Sequence, residues 1–129
     1  MVRSIDPPGV PRHKNPIPAA ALKGGLLASS AISGLDVETG AYPQDKAVQV
    51  ALAFGYVETV LDAAGCTPQD VVRMDLYFND KADRRFVNPH WIAMYPDETA
   101  RPARHAHIAE LPHGCCLQIT LLAVTGDRT

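Results

Sequence analysis

The strongest constraint on this chain is a single apolar stripe. Between Asp45 and Gly65, residues Ala47, Val50, Ala51, Phe54, Val57, Val60, Leu61 and Ala64 recur at three- and four-residue spacing, along one side of an amphipathic helix. Gly65 stands where a left-handed C-terminal cap belongs. A helix with one apolar side needs a second layer to cover, and the flanking segments read as that layer. The run from Gly25 to Gly34 is short, small-residued and bounded by glycines, which suits a buried strand that lets another backbone or a ligand come close. Val71 to Phe78 alternates Val72, Met74, Leu76 and Phe78 with Val71, Arg73, Asp75 and Tyr77, the period of a strand with one face turned to a core.

The remaining elements complete a two-layer pattern. Thr67-Pro68-Gln69-Asp70 carries a capping hydroxyl, a proline suited to a first helical position and an acid two residues on, so it predicts one short helical turn. Asp83 to Tyr95 reads as a second helix burying Phe86, Val87, Trp91 and Met94. Pro89 frees the carbonyl of Arg85, so that helix is expected to kink or to start late. Arg104–Glu110 and Cys115–Thr125 read as two further strands forming a terminal hairpin. The order implies an α+β fold in which both helices cover one face of a mixed sheet. With only two helices, the other sheet face needs another subunit to cover it, and a closed homo-oligomer is expected.

Upstream, Pro7, Pro8, Pro11, Pro16 and Pro18 stiffen the chain and remove donors, so residues 1–23 are expected to form an extended or looped arm beside a single domain at 24–129. Its polar His13, Lys14 and Asn15 are placed to cover something or to be plain surface. A chain of 129 residues, 47% hydrophobic and 20% charged, supports one core. Twelve Lys and Arg against fourteen Asp and Glu give a net charge of -2 without a basic block, which argues against nucleic acid as partner. No stretch reaches the roughly 18 apolar residues needed to cross a bilayer, and the N-terminal residues lack a signal-peptide apolar run. No membrane partner and a cytoplasmic location are therefore expected. Cys66, Cys115 and Cys116 lack CxxC spacing and read as reduced thiols.

No G-x-S-x-G elbow and no phosphate-cradling glycine motif occurs. The densest polar cluster is Arg101-Pro102-Ala103-Arg104-His105-Ala106-His107, where strand alternation turns Arg104, Ala106 and Ile108 one way and His105 and His107 the other. An arginine at a strand mouth beside small residues suits a planar carboxylate, which it grips with two parallel donors. The plainer alternative is a surface ion pair to Asp97 or Glu98. His105 and His107, with His113, Cys115 and Cys116 downstream, have metal-ligand chemistry. An HxH pair is common by chance and the two cysteines point apart on a regular strand, so no metal is assigned.

Together Ser29–Gly34 with Thr39-Gly40, Val60–Gly65, Asp70–Arg73 with Phe78 and Asp80, Val87-Asn88, Arg101–Arg104, Leu111-Pro112 and Ile119–Val124 resemble the RidA/YjgF family from about Gly24 to Val124. The resemblance implies a chorismate-mutase-like α+β fold, a homotrimeric barrel of three sheets and sites between subunits. It implies hydrolysis of reactive imines and enamines to 2-oxo acids and ammonia, on aminoacrylate or aminomuconate type compounds, with no metal or organic cofactor. By the same resemblance Arg104 holds the substrate carboxylate, and Asn88 lines the cleft. Ser30, Ala31 and Ala106 present backbone groups to the substrate, and Ile17 stands where relatives often carry a tyrosine.

Three positions depart from the family pattern. Ala31 replaces the cleft glycine and Ile17 lacks the hydroxyl. Gln118 replaces an acid thought to assist water attack. An amide orients water but accepts no proton, and losing a general base costs about a hundredfold to ten-thousandfold in rate. Gln118 is therefore expected to orient substrate or water. His105, His107 or His13 is the expected substitute base, since imidazole titrates near neutrality. Three functions follow: an imine or enamine deaminase acting on a small carboxylated metabolite, a non-catalytic protein binding such a metabolite, or a divergent hydrolase or tautomerase.

Overall fold

The computed structural model describes residues 1–125. The long helix, α1, spans Lys46–Ala63 and starts and stops where local chemistry requires. Asp45 caps it, its Oδ1 accepting from the Ala47 and Val48 amides at 2.9 and 3.4 Å. Beyond the C-terminal residue Ala64, Gly65 takes φ +74°, its amide donates to Asp62 and the Cys66 amide to Leu61, which satisfies carbonyls the helix leaves open. Val50, Phe54, Val57, Val60 and Leu61 line its buried side.

The layer it covers is one mixed sheet of seven strands: β1 (Arg3–Ile5), β2 (Ala20–Lys23), β3 (Leu26–Ser29), β4 (Ile32–Ser33), β5 (Val71–Phe78), β6 (Ala103–Ile108) and β7 (Gln118–Val124). Their order is β1-β2-β3-β7-β5-β6, with β4 pairing β7 beyond the end of β3. The second helix, α2, spans Arg84–Met94, packs beside α1 and contributes Val87 and Trp91 to the core. The architecture is α+β, as the order of elements implies.

Several details differ from the sequence reading. The Gly25–Gly34 run is two strands, β3 and β4, broken at Ser30-Ala31, where the Ser30 hydroxyl donates to the Pro18 carbonyl at 2.8 Å. The proline-rich segment is not wholly loop: β1 and β2 lie within it and extend the sheet. The intervening loop is closed at its base by the Ala19 amide on Asp6 Oδ1 at 3.0 Å.

Among the described residues β6 and β7 do not form the expected terminal hairpin. β5 lies between β6 and β7, parallel to β6 and antiparallel to β7, because α2 provides the crossover that parallel neighbours require. Cys115 and Cys116 precede β7 in a buried loop instead of lying on it. Finally, β5 carries a bulge between Val71 and Arg73. Val71 is buried and Val72 is 50% exposed, so the extra residue, not Val71, leaves the core. The helix α2 runs through Pro89 without ending.

Strand alternation gives the sheet two unlike faces. Leu27, Met74, Leu76, Phe78, Ile119 and Leu121 lie against the helices and are essentially inaccessible. Arg73, Asp75, Tyr77, His105, His107, Gln118 and Thr120 occupy the opposite, open face. Two contacts lock the helical layer. Gly34 passes so close to Gln49 that any side chain there would collide with the Gln49 backbone. The buried Gln49 amide donates to Pro43 and Gly114 carbonyls and accepts from the Cys116 amide at 2.7 Å, tying α1 to the loop before β7.

Candidate functional site

The expected site residues fall into two groups on different parts of the chain. The first is at the free edge of the sheet. Among the described residues β6 pairs only with β5, and Arg104 points from it toward α2, its guanidinium 5.2 Å from the centre of the Trp91 ring. Asn88 is exposed on α2 one turn before Trp91, and Ala106 packs partly against the core beside Arg104. Among the described residues Arg104 forms no ion pair. Asp97 instead accepts from Thr99, and Arg101 donates to the Tyr95 carbonyl at 2.9 Å. Burial, and secondarily the like charge of Arg84, pulls the Arg104 pKa down from its ordinary value. A partly buried guanidinium without an ion pair, near a second cation, favours an anion.

The second group surrounds a cavity of about 780 Å³ on the other side of the chain. The break between β3 and β4 brings Ala31 and Ser33 to its wall, and Gln118, opposite Ser33 in the ladder, joins them. The loop between β1 and β2 contributes Arg12, His13 and Lys14, and the loop before β7 contributes His113. Among the described residues no Asp or Glu lines the cavity, so its field favours an anion. Tyr42 closes one wall. Burial raises its phenol pKa, while a hydrogen bond from Ser33 opposes that shift and Cys115 adds to it.

Neither Arg104 nor Asn88 lines this cavity, and Arg104 and Gln118 lie on opposite faces of the sheet. Ser30 is just outside, occupied with Pro18, and Ile17 is 46% exposed over a smaller neighbouring depression. His105 and His107 turn away from Arg104, to the open face, where His107 Nε2 meets Asp75 Oδ1 at 2.8 Å. Of the histidines proposed as substitute bases, only His13 lines the cavity. His113, Tyr42 and the cations Arg12 and Lys14 were not foreseen as its lining. Their segments are far apart in sequence, and the hint the sequence offers is the polar run His13-Lys14-Asn15 inside the proline-rich segment.

Comparison with known proteins follows the same lines. A RutC family protein encoded in the leuC 5' region of Leuconostoc mesenteroides subsp. cremoris is 33% identical over 122 residues, covering 88% of this chain and 91% of that protein. The 2-iminobutanoate/2-iminopropanoate deaminase of Escherichia coli strain K12 is 26% identical over 126 residues, covering 96% of this chain and 98% of that protein. A crystal structure of a conserved Rid family protein from Yersinia pestis superposes with a TM-score of 0.87 at 22% identity, covering 97% of this chain and all of that one, a likeness of fold. A sequence profile of the family described as Endoribonuclease L-PSP matches residues 13–125. Spanning nearly the whole described fold, that match identifies the chain as a member of the Endoribonuclease L-PSP family, the RidA/YjgF family.

Proposed function

We propose that this protein hydrolyses small carboxylated imines or enamines, of the aminoacrylate or aminomuconate type, to 2-oxo acids and ammonia. The observation that carries this reading is the unpaired Arg104 guanidinium, held over Trp91 with no carboxylate of its own. A substrate carboxylate would take the place of the missing partner through two parallel donors. The 26% identical deaminase of Escherichia coli supports the reaction class.

The separation of the two residue groups supports an assembly in which the Arg104 edge of one chain closes the cavity of the next, within a homotrimer. The open sheet face, left without helices, would be covered there. In such a site Arg104 fixes the acid end of the substrate, and the backbone amides around Ala31 and the Gln118 side chain orient water. Water adds to the imine carbon while a base carries one of its protons to the imine nitrogen, and the resulting carbinolamine passes its hydroxyl proton to nitrogen as the C–N bond breaks, releasing ammonia and leaving the 2-oxo acid. His13 or His113 at the cavity wall is the group suited to move that proton. The chemistry needs no cofactor, since the imine carbon is already electrophilic. A cytoplasmic setting fits the three buried free thiols.

The test is ammonia release from 2-iminobutanoate and 2-iminopropanoate generated in place by a dehydrating enzyme, with oligomeric state measured by sedimentation. Faster release than in buffer, lost in Arg104→Ala at unchanged assembly, is the expected result. Release no faster than in buffer would overturn the reading. Gln118 in place of an acid favours a second reading, a non-catalytic cleft for the same metabolites, which calorimetric binding of a 2-oxo acid without turnover would establish.

A further inference from the structure

The open face of the sheet holds a polar cluster that the proposed deaminase does not use. His105 and His107 are two apart on β6, so both side chains project from the same face. Asp75 stands opposite His105 on the parallel neighbour β5, and Tyr77 opposite His107. Asp75 Oδ1 lies 2.8 Å from His107 Nε2, the two imidazole centres are 4.2 Å apart, and one donor atom from each of the three residues lies within 4.8 Å of the others.

We infer that Asp75, His105 and His107 form a binding site for a divalent transition-metal cation of the zinc class. Ligands about 2.0–2.2 Å from such an ion sit some 3–3.5 Å apart, so small rotations of the two imidazoles bring the cluster to ligating distance. Two imidazoles and one carboxylate suit zinc, cobalt, nickel or copper better than magnesium or calcium, which prefer all-oxygen shells. Three protein ligands leave a coordination position open on the helix-free face, which in the proposed trimer turns toward the neighbouring subunits.

The surroundings hold these donors in place. Arg73 forks onto the Asp75 carboxylate, Nε to Oδ2 at 2.9 Å and Nη2 to Oδ1 at 3.0 Å, fixing its plane. The Tyr77 ring stacks on His107 at 4.7 Å, 14° from parallel, and sets the imidazole's orientation. Such outer contacts commonly tune metal affinity tenfold to a hundredfold. The Arg73 charge opposes a cation, so the site is expected to be weaker than a thiolate site and selective for ions that bind nitrogen firmly.

The experiment uses tag-free full-length protein freed of metal by chelation, titrated with Co2+ and followed by its visible d–d absorption and by calorimetry. One Co2+ per chain is expected, displaced by Zn2+, without the intense near-ultraviolet band of thiolate coordination. Affinity is expected to fall about tenfold or more in His105→Ala and in His107→Ala. Both residues lie on the open face, and circular dichroism checks that each variant keeps its fold. Asp75→Asn, which preserves shape, is expected to weaken binding similarly. No uptake by the native chain, uptake undiminished in the two histidine variants, or a thiolate band would overturn the inference.

Discussion

The two faces of the central sheet are built from alternate residues of the same strands, yet they do opposite things. On β5, Met74, Leu76 and Phe78 face the helices and are fully buried, while Asp75 and Tyr77, one step along, meet the histidines of β6. Apolar burial is concentrated on the covered face, and polar and charged side chains collect on the open face and at the sheet's free edge beside Arg104. Parity along a strand, more than residue type, assigns each side chain its task.

The contrast is broken most directly by paired substitutions. Leu76→Ala is expected to destabilise the fold by about 3 kcal/mol, whereas Thr120→Ala on the other face should cost ~0.5 kcal/mol or less; denaturant midpoints at constant slope compare them. Equal costs would show that the open face is as tightly packed as the covered one.

Next in size is Arg104→Ala. Loss of the clamp is expected to lower kcat/KM for imino acids by about a hundredfold or more with little change in thermal midpoint, since the guanidinium has no protein carboxylate to release. A fall in stability equal to that of Leu76→Ala would instead make Arg104 part of the core.

Gln118→Glu sharpens the comparison from the open side. Restoring a carboxylate at the cavity wall is expected to raise turnover about tenfold if proton transfer limits the rate, with a pH profile gaining an acidic limb. An unchanged rate would assign the proton transfer to a histidine.

The smallest effect concerns Asp75. The Arg73 fork, and then His107, hold its carboxyl at about 2, below the usual value of 3.8. The folded state therefore binds that proton less readily than the unfolded chain. The interaction contributes fully above about pH 5 and is lost as pH falls through 2. Asp75→Asn should destabilise by under ~1 kcal/mol at neutral pH, since Arg73 is solvent-exposed, with the difference vanishing at the acid end of a pH titration.

Much of the covered layer was legible because its signals are local. Most of the α1 stripe, its Gly65 cap and the β5 period each lie within a few consecutive residues, although Ala47 and Ala51, expected on the stripe, are exposed. The parallel pairing of β5 with β6 was not, because a strand's own period is silent about its neighbours. β1 and β2, three and four residues long, are too short to display a period among prolines. In the candidate site, Arg104 stood out from its immediate sequence. The cavity draws on residues 10–14, 31–35, 40–44 and 112–118, which only the fold brings together. His105-x-His107 is visible in the sequence, but an HxH pair is common by chance, and Asp75, which meets His107, lies thirty residues upstream on another strand.

The bulge at Val72 makes the middle of this sheet unusually forgiving of one kind of genetic change. Deleting a residue from a central strand ordinarily turns everything on one side of the cut inside out. Here Val71 already pairs with Ala123, and Arg73 with the next residue, Leu122. Removing codon 72 would therefore splice two segments that are in phase, leaving buried residues buried and the charged row outward. A frame-preserving loss that is ruinous at Leu76 would at Val72 yield a more regular strand.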